Sequence, residues 1–172
     1  MGTVTFNESY YVSGIGESEQ NVRINYSETY DATTNKTTVK LTSVQFACSR
    51  YLGDCPFRGK VYFGSTVVKN YPTSTSAYTV TVGSGGASSY STVTGGAGDS
   101  ITVTHNTNGT ASFTVKLVAT EGSYFGAAYG GKMFGISNNS SKTVNLTKRT
   151  STLTVNPNGG TWSSSTVSQT FS

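Results

Sequence analysis

The sequence has little charge, little proline, few leucines, one histidine and two cysteines, and each shortage excludes a class of protein. Charged residues make up 12% of its 172 positions. The basic ones stand singly along alternating segments, as at Lys40, Lys60, Lys69, Lys116 and Lys142. A nucleic-acid interface gathers its Lys and Arg on one element, often with aromatics between them, so no nucleic-acid partner is expected. No apolar stretch approaches the length of a membrane span, so no membrane insertion is expected either. Leu occurs five times against 17 Val and four Ile. No window carries apolar residues at helical spacing without Gly or a Thr run, which excludes helical bundles, Rossmann sheets and coiled coils.

Half the chain is made of 25 Ser, 29 Thr, 20 Gly and 12 Asn. Such a mixture ordinarily offers too little apolar surface to offset the entropy of ordering. Three prolines are too few for a disordered linker, and 11 Tyr, eight Phe and one Trp supply the missing core. Stiff β-branched and aromatic side chains fit a pleated, half-buried surface, so the chain is expected to fold and to be nearly all β.

Residues 1–31 hold five acids against Arg23, whereas residues 32–172 hold three acids against eleven bases. The first twelve residues show no basic start and no continuous apolar stretch. No leader is therefore expected here, and the chain reads as cytosolic, assembled into a particle inside a cell, or a piece without its leader.

Strand-like runs recur with turn residues between them. Residues 4–12 alternate Val4, Phe6, Tyr10 and Val12, with Glu8 interrupting the buried face. Residues 22–30 alternate Val22, Ile24, Tyr26 and Tyr30. Across 37–48 the apolar parity changes between Leu41 and Val44, which predicts a β-bulge. Gly64-Ser65 supplies a two-residue II′ turn to a hairpin over 59–71. Residues 100–119 read as a second hairpin, with Ile101, Val103 and His105 on one face, Asn106–Gly109 at the turn, and Phe113, Val115 and Leu117 returning. Residues 121–131, rich in glycine and aromatics, read as a loop, followed by short strands at 132–136 and 142–146.

Eight to nine strands over residues 1–148 predict one antiparallel β-sandwich of immunoglobulin-like size, with a closed barrel as the alternative. Residues 149–172 read as a linker and the start of a truncated or partner-completed β repeat. There Leu153 and Val155 form a strand, Asn156–Gly160 a turn, and Trp162 opens the next segment. Twenty-four residues are too few to bury a core of their own.

Catalytic chemistry finds few candidates. A histidine-based mechanism must run through His105, which reads as a strand-end side chain bonded to the adjoining turn. The acids outside the first 31 residues are Asp54, Asp99 and Glu121, all in expected loops, a poor basis for the paired carboxylates of a glycosidase. Cys48 and Cys55 enclose six residues and admit either a disulfide or two free thiols. A zinc site would need about four ligands, so no metal and no cofactor is expected. Gly126 to Lys132 matches the spacing of a phosphate loop, but Met133 stands where a hydroxyl would hold magnesium, and no helix follows. Seven Asn-x-Ser/Thr sequons occur where the abundance of Ser and Thr alone produces about four, which makes them weak evidence of glycosylation. What remains is an aromatic surface, Tyr124, Phe125 and Tyr129 in one loop and Tyr51 in another, whose rings either stack on sugar faces or plug the ends of the core.

The segment Ile101–Leu117, ITVTHNTNGTASFTVKL, resembles a hairpin that recurs in structural proteins of tailed siphophages: minor tail, baseplate or fibre proteins. YDATTNKTTVKL at 30–41 and FRGKVYFGSTVV at 57–68 are similar to earlier strands of such modules. VNPNGGTW at 155–162 is similar to the opening of small β repeats in Gram-positive surface proteins and phage tails. The long 121–135 loop, the cysteine pair and the VNLTKRT exit depart from that pattern. The resemblance implies a non-enzymatic virion component, assembled in the host cytoplasm and exposed on the particle, with other virion proteins and a host cell-surface glycan as partners. It implies turn-forming roles for His105, Asn106 and Gly109; a homo-oligomeric trimer would favour a fibre and a monomer a stand-alone module. The rival expectations are a carbohydrate-binding module of a secreted glycan-degrading enzyme and a bacterial adhesin repeat.

Overall fold

A computed structural model describes residues 1–154 and 168–171. Twelve strands lie between Gly2 and Asn145: β1 (Gly2–Val12), β2 (Gly16–Asp31), β3 (Lys36–Cys48), β4 (Gly53–Phe63), β5 (Thr66–Tyr71), β6 (Thr79–Val82), β7 (Ser91–Thr92), β8 (Ser100–Thr104), β9 (Ser112–Val118), β10 (Tyr124–Tyr129), β11 (Lys132–Ser137) and β12 (Ser141–Asn145). Two further strands, β13 (Ser151–Thr154) and β14 (Ser168–Phe171), pair antiparallel as a separate two-stranded sheet. The expected turn at 156–160 and the segment opened by Trp162 lie outside the described residues.

The first twelve strands form two open antiparallel sheets, so the architecture is a β-sandwich and not a closed barrel. One sheet runs β1-β2-β3, with β7 and β8 both on the far edge of β3; the other runs β11-β10-β4-β9-β12, with β5 and β6 also on β4. The chain changes sheet after β3, after β6 and after β8. More strands form than the eight to nine expected, because the two-residue β7 and the glycine-rich β10 carry no alternation a sequence reader would recognise.

The inner faces follow the period-two pattern. Val22, Ile24, Val39, Leu41, Val44 and Phe46 from the first sheet and Phe57, Val61, Phe63, Val115 and Leu117 from the second are wholly buried. Aromatic rings meet across the gap: Tyr26 is edge-on to Phe63 and Phe113 with centroids 6.5 and 5.5 Å apart, and Phe46 is edge-on to Phe57 at 5.9 Å. Each such pair adds about 0.5–1.5 kcal/mol beyond the area it buries.

The expected bulge is present. Asn25 faces Ser43 and Tyr26 faces Leu41, so Thr42 is the extra residue that moves the buried set from odd to even positions. The β4–β5 hairpin also forms as read, with Phe63 opposite Thr66 and positive φ (59°) at Gly64. Glu8 does not break the buried face but serves it. Its carboxylate accepts the Ser137 N–H (3.1 Å) and the hydroxyls of Ser137 (2.6 Å) and Ser140 (3.2 Å), while Tyr10 Oη accepts the Gly135 N–H at 3.1 Å. These bonds fasten β1 to the opposite sheet where apolar side chains run out.

Two expectations are corrected. Residues 100–119 are not a hairpin: β8 pairs with β3 and β9 with β4 and β12, so the turn between them is a corner joining the two sheets. Both arms still point apolar residues inward, and for that reason the alternation cannot tell a corner from a hairpin. Residues 121–131 are not a loop throughout: 124–129 form β10, paired residue by residue with β11. Gly126 faces Gly135 there, and a Cβ on either would collide with the carbonyl of the other strand. The glycines serve this close approach and not flexibility.

Candidate functional site

The aromatic residues picked out by sequence do not form one surface. Phe125 is wholly buried, edge-on to Phe57 at 5.2 Å, and is no ligand-binding residue, because its strand parity turns it into the core. Tyr124 is half-buried and stacked on Tyr10, with centroids 4.5 Å apart and planes 8° from parallel. Tyr51 and Tyr129 remain exposed, 71% and 45%. Phe125 thus lies in the core, while Tyr51 and Tyr129 stand at the surface.

Topology adds a residue that was overlooked. Tyr11 ends β1 on the outward parity and is 71% exposed. The signal lay in the alternation itself: if Tyr10 and Val12 face inward, Tyr11 must face out. The β1–β2 turn, the 49–52 connection and the β10–β11 turn gather at one end of the sandwich. Space for a Cβ on Gly14 lies 3.3 Å from Lys132 Nζ, and on Gly16 2.9 Å from the Arg50 guanidinium. Arg50 in turn donates to the Glu17 carbonyl at 2.6 and 3.0 Å, which ties the 49–52 segment to the start of β2.

A groove of about 220 Å³ opens at this end, lined by Arg58, Glu121, Tyr129, Lys132 and Met133 among others. Arg58 and Glu121 are hydrogen-bonded as an ion pair. The Arg58 side chain is partly exposed, while its Nε is buried without a protein acceptor among the described residues. An exposed aromatic face, a planar guanidinium, a carboxylate and an ammonium thus border one concavity. Such a set can stack on a sugar ring and bond its hydroxyls in both senses. The phosphate-loop spacing at 126–132 falls on the β10–β11 hairpin, and the site offers no helix N-terminus to a phosphate.

The two cysteines are free and buried. Cys48 Sγ is 3.3 Å from the Ser18 hydroxyl, and Cys55 Sγ donates weakly to the Leu52 carbonyl at 3.6 Å. Of the two alternatives, the structure has the thiols. Burial first, then the neighbouring Asp54 and Cys48, pushes the Cys55 thiol up to about 11, so it is a poor nucleophile at neutral pH.

His105, Asn106 and Gly109 build the β8–β9 corner. The His105 ring is buried; Nδ1 donates to the Gly109 carbonyl (2.9 Å) and Nε2 accepts from the Thr37 hydroxyl (2.7 Å). The Gly109 N–H donates to the Asn106 carbonyl at 2.9 Å and closes the turn, and the Arg149 N–H donates to the Gly109 carbonyl at 3.0 Å. With both ring nitrogens engaged, His105 ties β3 to the corner, and the Gly109 carbonyl it bonds also holds the Arg149 N–H. Among the described residues, no group of three His, Cys, Asp or Glu comes together in a way that could hold a metal ion.

No family model matches the chain, and it has no match among curated proteins or solved structures.

Proposed function

We propose that the chain is a non-enzymatic, immunoglobulin-like structural module of a tailed-phage virion, whose loop end contacts a glycan of the host surface. The observation that carries this reading is the exposure of Tyr11, Tyr51 and Tyr129 on an otherwise polar molecule, with the Arg58–Glu121 pair and Lys132 beside the Tyr129 groove. Loop ends of a sandwich are where binding residues can vary without disturbing the core. The groove is smaller than the roughly 300–1,000 Å³ of typical small-molecule sites, which suits a terminal sugar rather than a buried chain. The siphophage resemblance supplies the virion context, and dense backbone pairing with short turns suits an appendage exposed to proteases.

A host cell-wall pull-down and a glycan array test the binding. The wild-type chain should be retained, and Tyr129→Ala and Tyr51→Ala should each weaken retention without loss of fold. No retention on any glycan would end the attachment reading. Recovery of the chain in purified particles supports a virion part over a secreted enzyme's module or an adhesin repeat. Light scattering distinguishes a fibre-type trimer from a monomer.

A further inference from the structure

A second cleft, of about 460 Å³, lies on the flank of the sandwich, away from the loop-end tyrosines. Its volume falls within the roughly 300–1,000 Å³ of small-molecule sites. Lys40 from β3 and Lys69, Asn70 and Val67 from β5 form its walls, with Tyr78, Gly98 and Asp99 beside them.

The floor is rigid, built by main-chain bonds that join the two sheets. The Asp99 N–H donates to the Val68 carbonyl (2.8 Å), the Leu41 N–H to the Asp99 carbonyl (3.1 Å), and the Gly98 N–H to the Leu41 carbonyl (3.1 Å). Segment 97–99 thus bridges β3 and β5, and a Cβ on Gly98 would collide with the Val68 carbonyl. Two lysines from opposite sheets are therefore held facing one space by a framework that leaves little slack.

Among the described residues, neither lysine is paired with a carboxylate. The salt bridges among the described residues are Arg58–Glu121 and Arg149–Glu28; neither Lys40 nor Lys69 has a carboxylate within 4.0 Å, although Asp99 lines the same cleft. The Lys69 ammonium lies 4.6 Å from the centroid of the Tyr78 ring, which fixes its position and leaves N–H donors free. Two ammonium groups against one carboxylate leave the cleft net positive. Asn70 and Asp99 add a neutral amide and an acceptor suited to hydroxyl groups, and Tyr78 adds a ring face.

The geometry points to a binding site for a polyhydroxylated ligand that carries one anionic group, a carboxylate or a phosphate. The anion sits between Lys40 and Lys69, and hydroxyls bond to Asn70 and Asp99. This site shares no residue with the loop-end groove and stands or falls independently of it.

Amide chemical shifts of the full chain, followed by NMR, test the assignment with three probes: D-glucuronate for a carboxylate source, glycerol 3-phosphate for a phosphate source, and D-glucose as the neutral control. At least one anionic probe should move the Asn70, Gly98 and Asp99 amides while glucose leaves them in place, and which probe does so identifies the anion. Lys69→Gln together with Lys40→Gln should weaken that binding about tenfold or more, since a charge-assisted hydrogen bond is worth about 1.5–3 kcal/mol. The variant's spectrum shows whether its fold is kept, and on the wild-type chain raised salt should weaken binding in the same direction. Three results overturn the proposal: neither anion moves these amides, glucose moves them as strongly, or the folded double variant binds as well as the wild type.

Discussion

The Thr37 hydroxyl lies 2.7 Å from Nε2 of His105, 68 residues further along the chain, and both side chains are buried. Because the opposite ring nitrogen donates to the Gly109 carbonyl, this bond fixes the imidazole as the tautomer protonated on Nδ1. Nitrogen chemical shifts of the ring should report that tautomer. Thr37→Val keeps the shape but leaves Nε2 buried without a donor, and should cost about 1–3 kcal/mol in urea denaturation. An unchanged midpoint would show that the corner is held by its backbone bonds alone.

Gly135→Ala should be more damaging than a methyl group normally is. The position has ordinary backbone angles but no space, since the new Cβ would overlap the Phe125 carbonyl on β10. The strands must part or the pairing slip, at a cost of about 1–3 kcal/mol. Gly130→Ala, with open space around it but a positive φ of 56°, should cost less. Thermal melts of the two variants side by side check the order.

Tyr71→Phe should leave the fold intact and raise its stability. The ring packs edge-on to Phe57 and Tyr78, with centroids 5.2 and 5.1 Å away, yet among the described residues the buried hydroxyl has no protein partner. Removing an unsatisfied buried hydroxyl while keeping the ring recovers up to about 1–3 kcal/mol. A lower melting temperature for the variant would mean that this hydroxyl is satisfied in solution.

Stability should be lost on the alkaline side. Burial raises the Cys55 thiol from 9.0 to about 11 and the Tyr10 phenol from 10.0 to about 12, and it also raises Tyr26 and Tyr71. These acids hold their protons more tightly folded than unfolded, so their contribution is complete below about pH 9 and is lost as pH rises toward 12. Urea midpoints measured from pH 7 to 11 should be level at first and then fall. Cys55→Ala should remove the earliest part of the decline.

Much of the fold was legible in the sequence because a strand's side chains alternate, and burial records that alternation in residue type. The Leu41-to-Val44 change of parity gave the bulge at Thr42, and Gly64 gave its hairpin, since both depend on neighbouring residues only. The same local logic gave His105 a role at its turn. It failed where two arrangements share one pattern. Residues 100–119 alternate equally well as a hairpin or as a corner between sheets, and only the competing edges of β3, β4 and β12 decide. Residues 124–129 lack alternation because Gly126 and Gly135 mark a close approach, which concerns two strands and not one.

The sequence by itself determined that this chain is nearly all β, which face of most of its alternating strands turns inward, and that it has one histidine and two cysteines to spend. The tertiary structure decided where those residues meet. Phe125 went to the core, while Tyr11, Tyr51 and Tyr129 were left exposed, and the Lys40 and Lys69 walls were set across one cleft by the 97–99 bridge. The physical reason is range: side-chain direction along a strand is fixed by its immediate backbone, but a surface is fixed by which distant strands share an edge or an end.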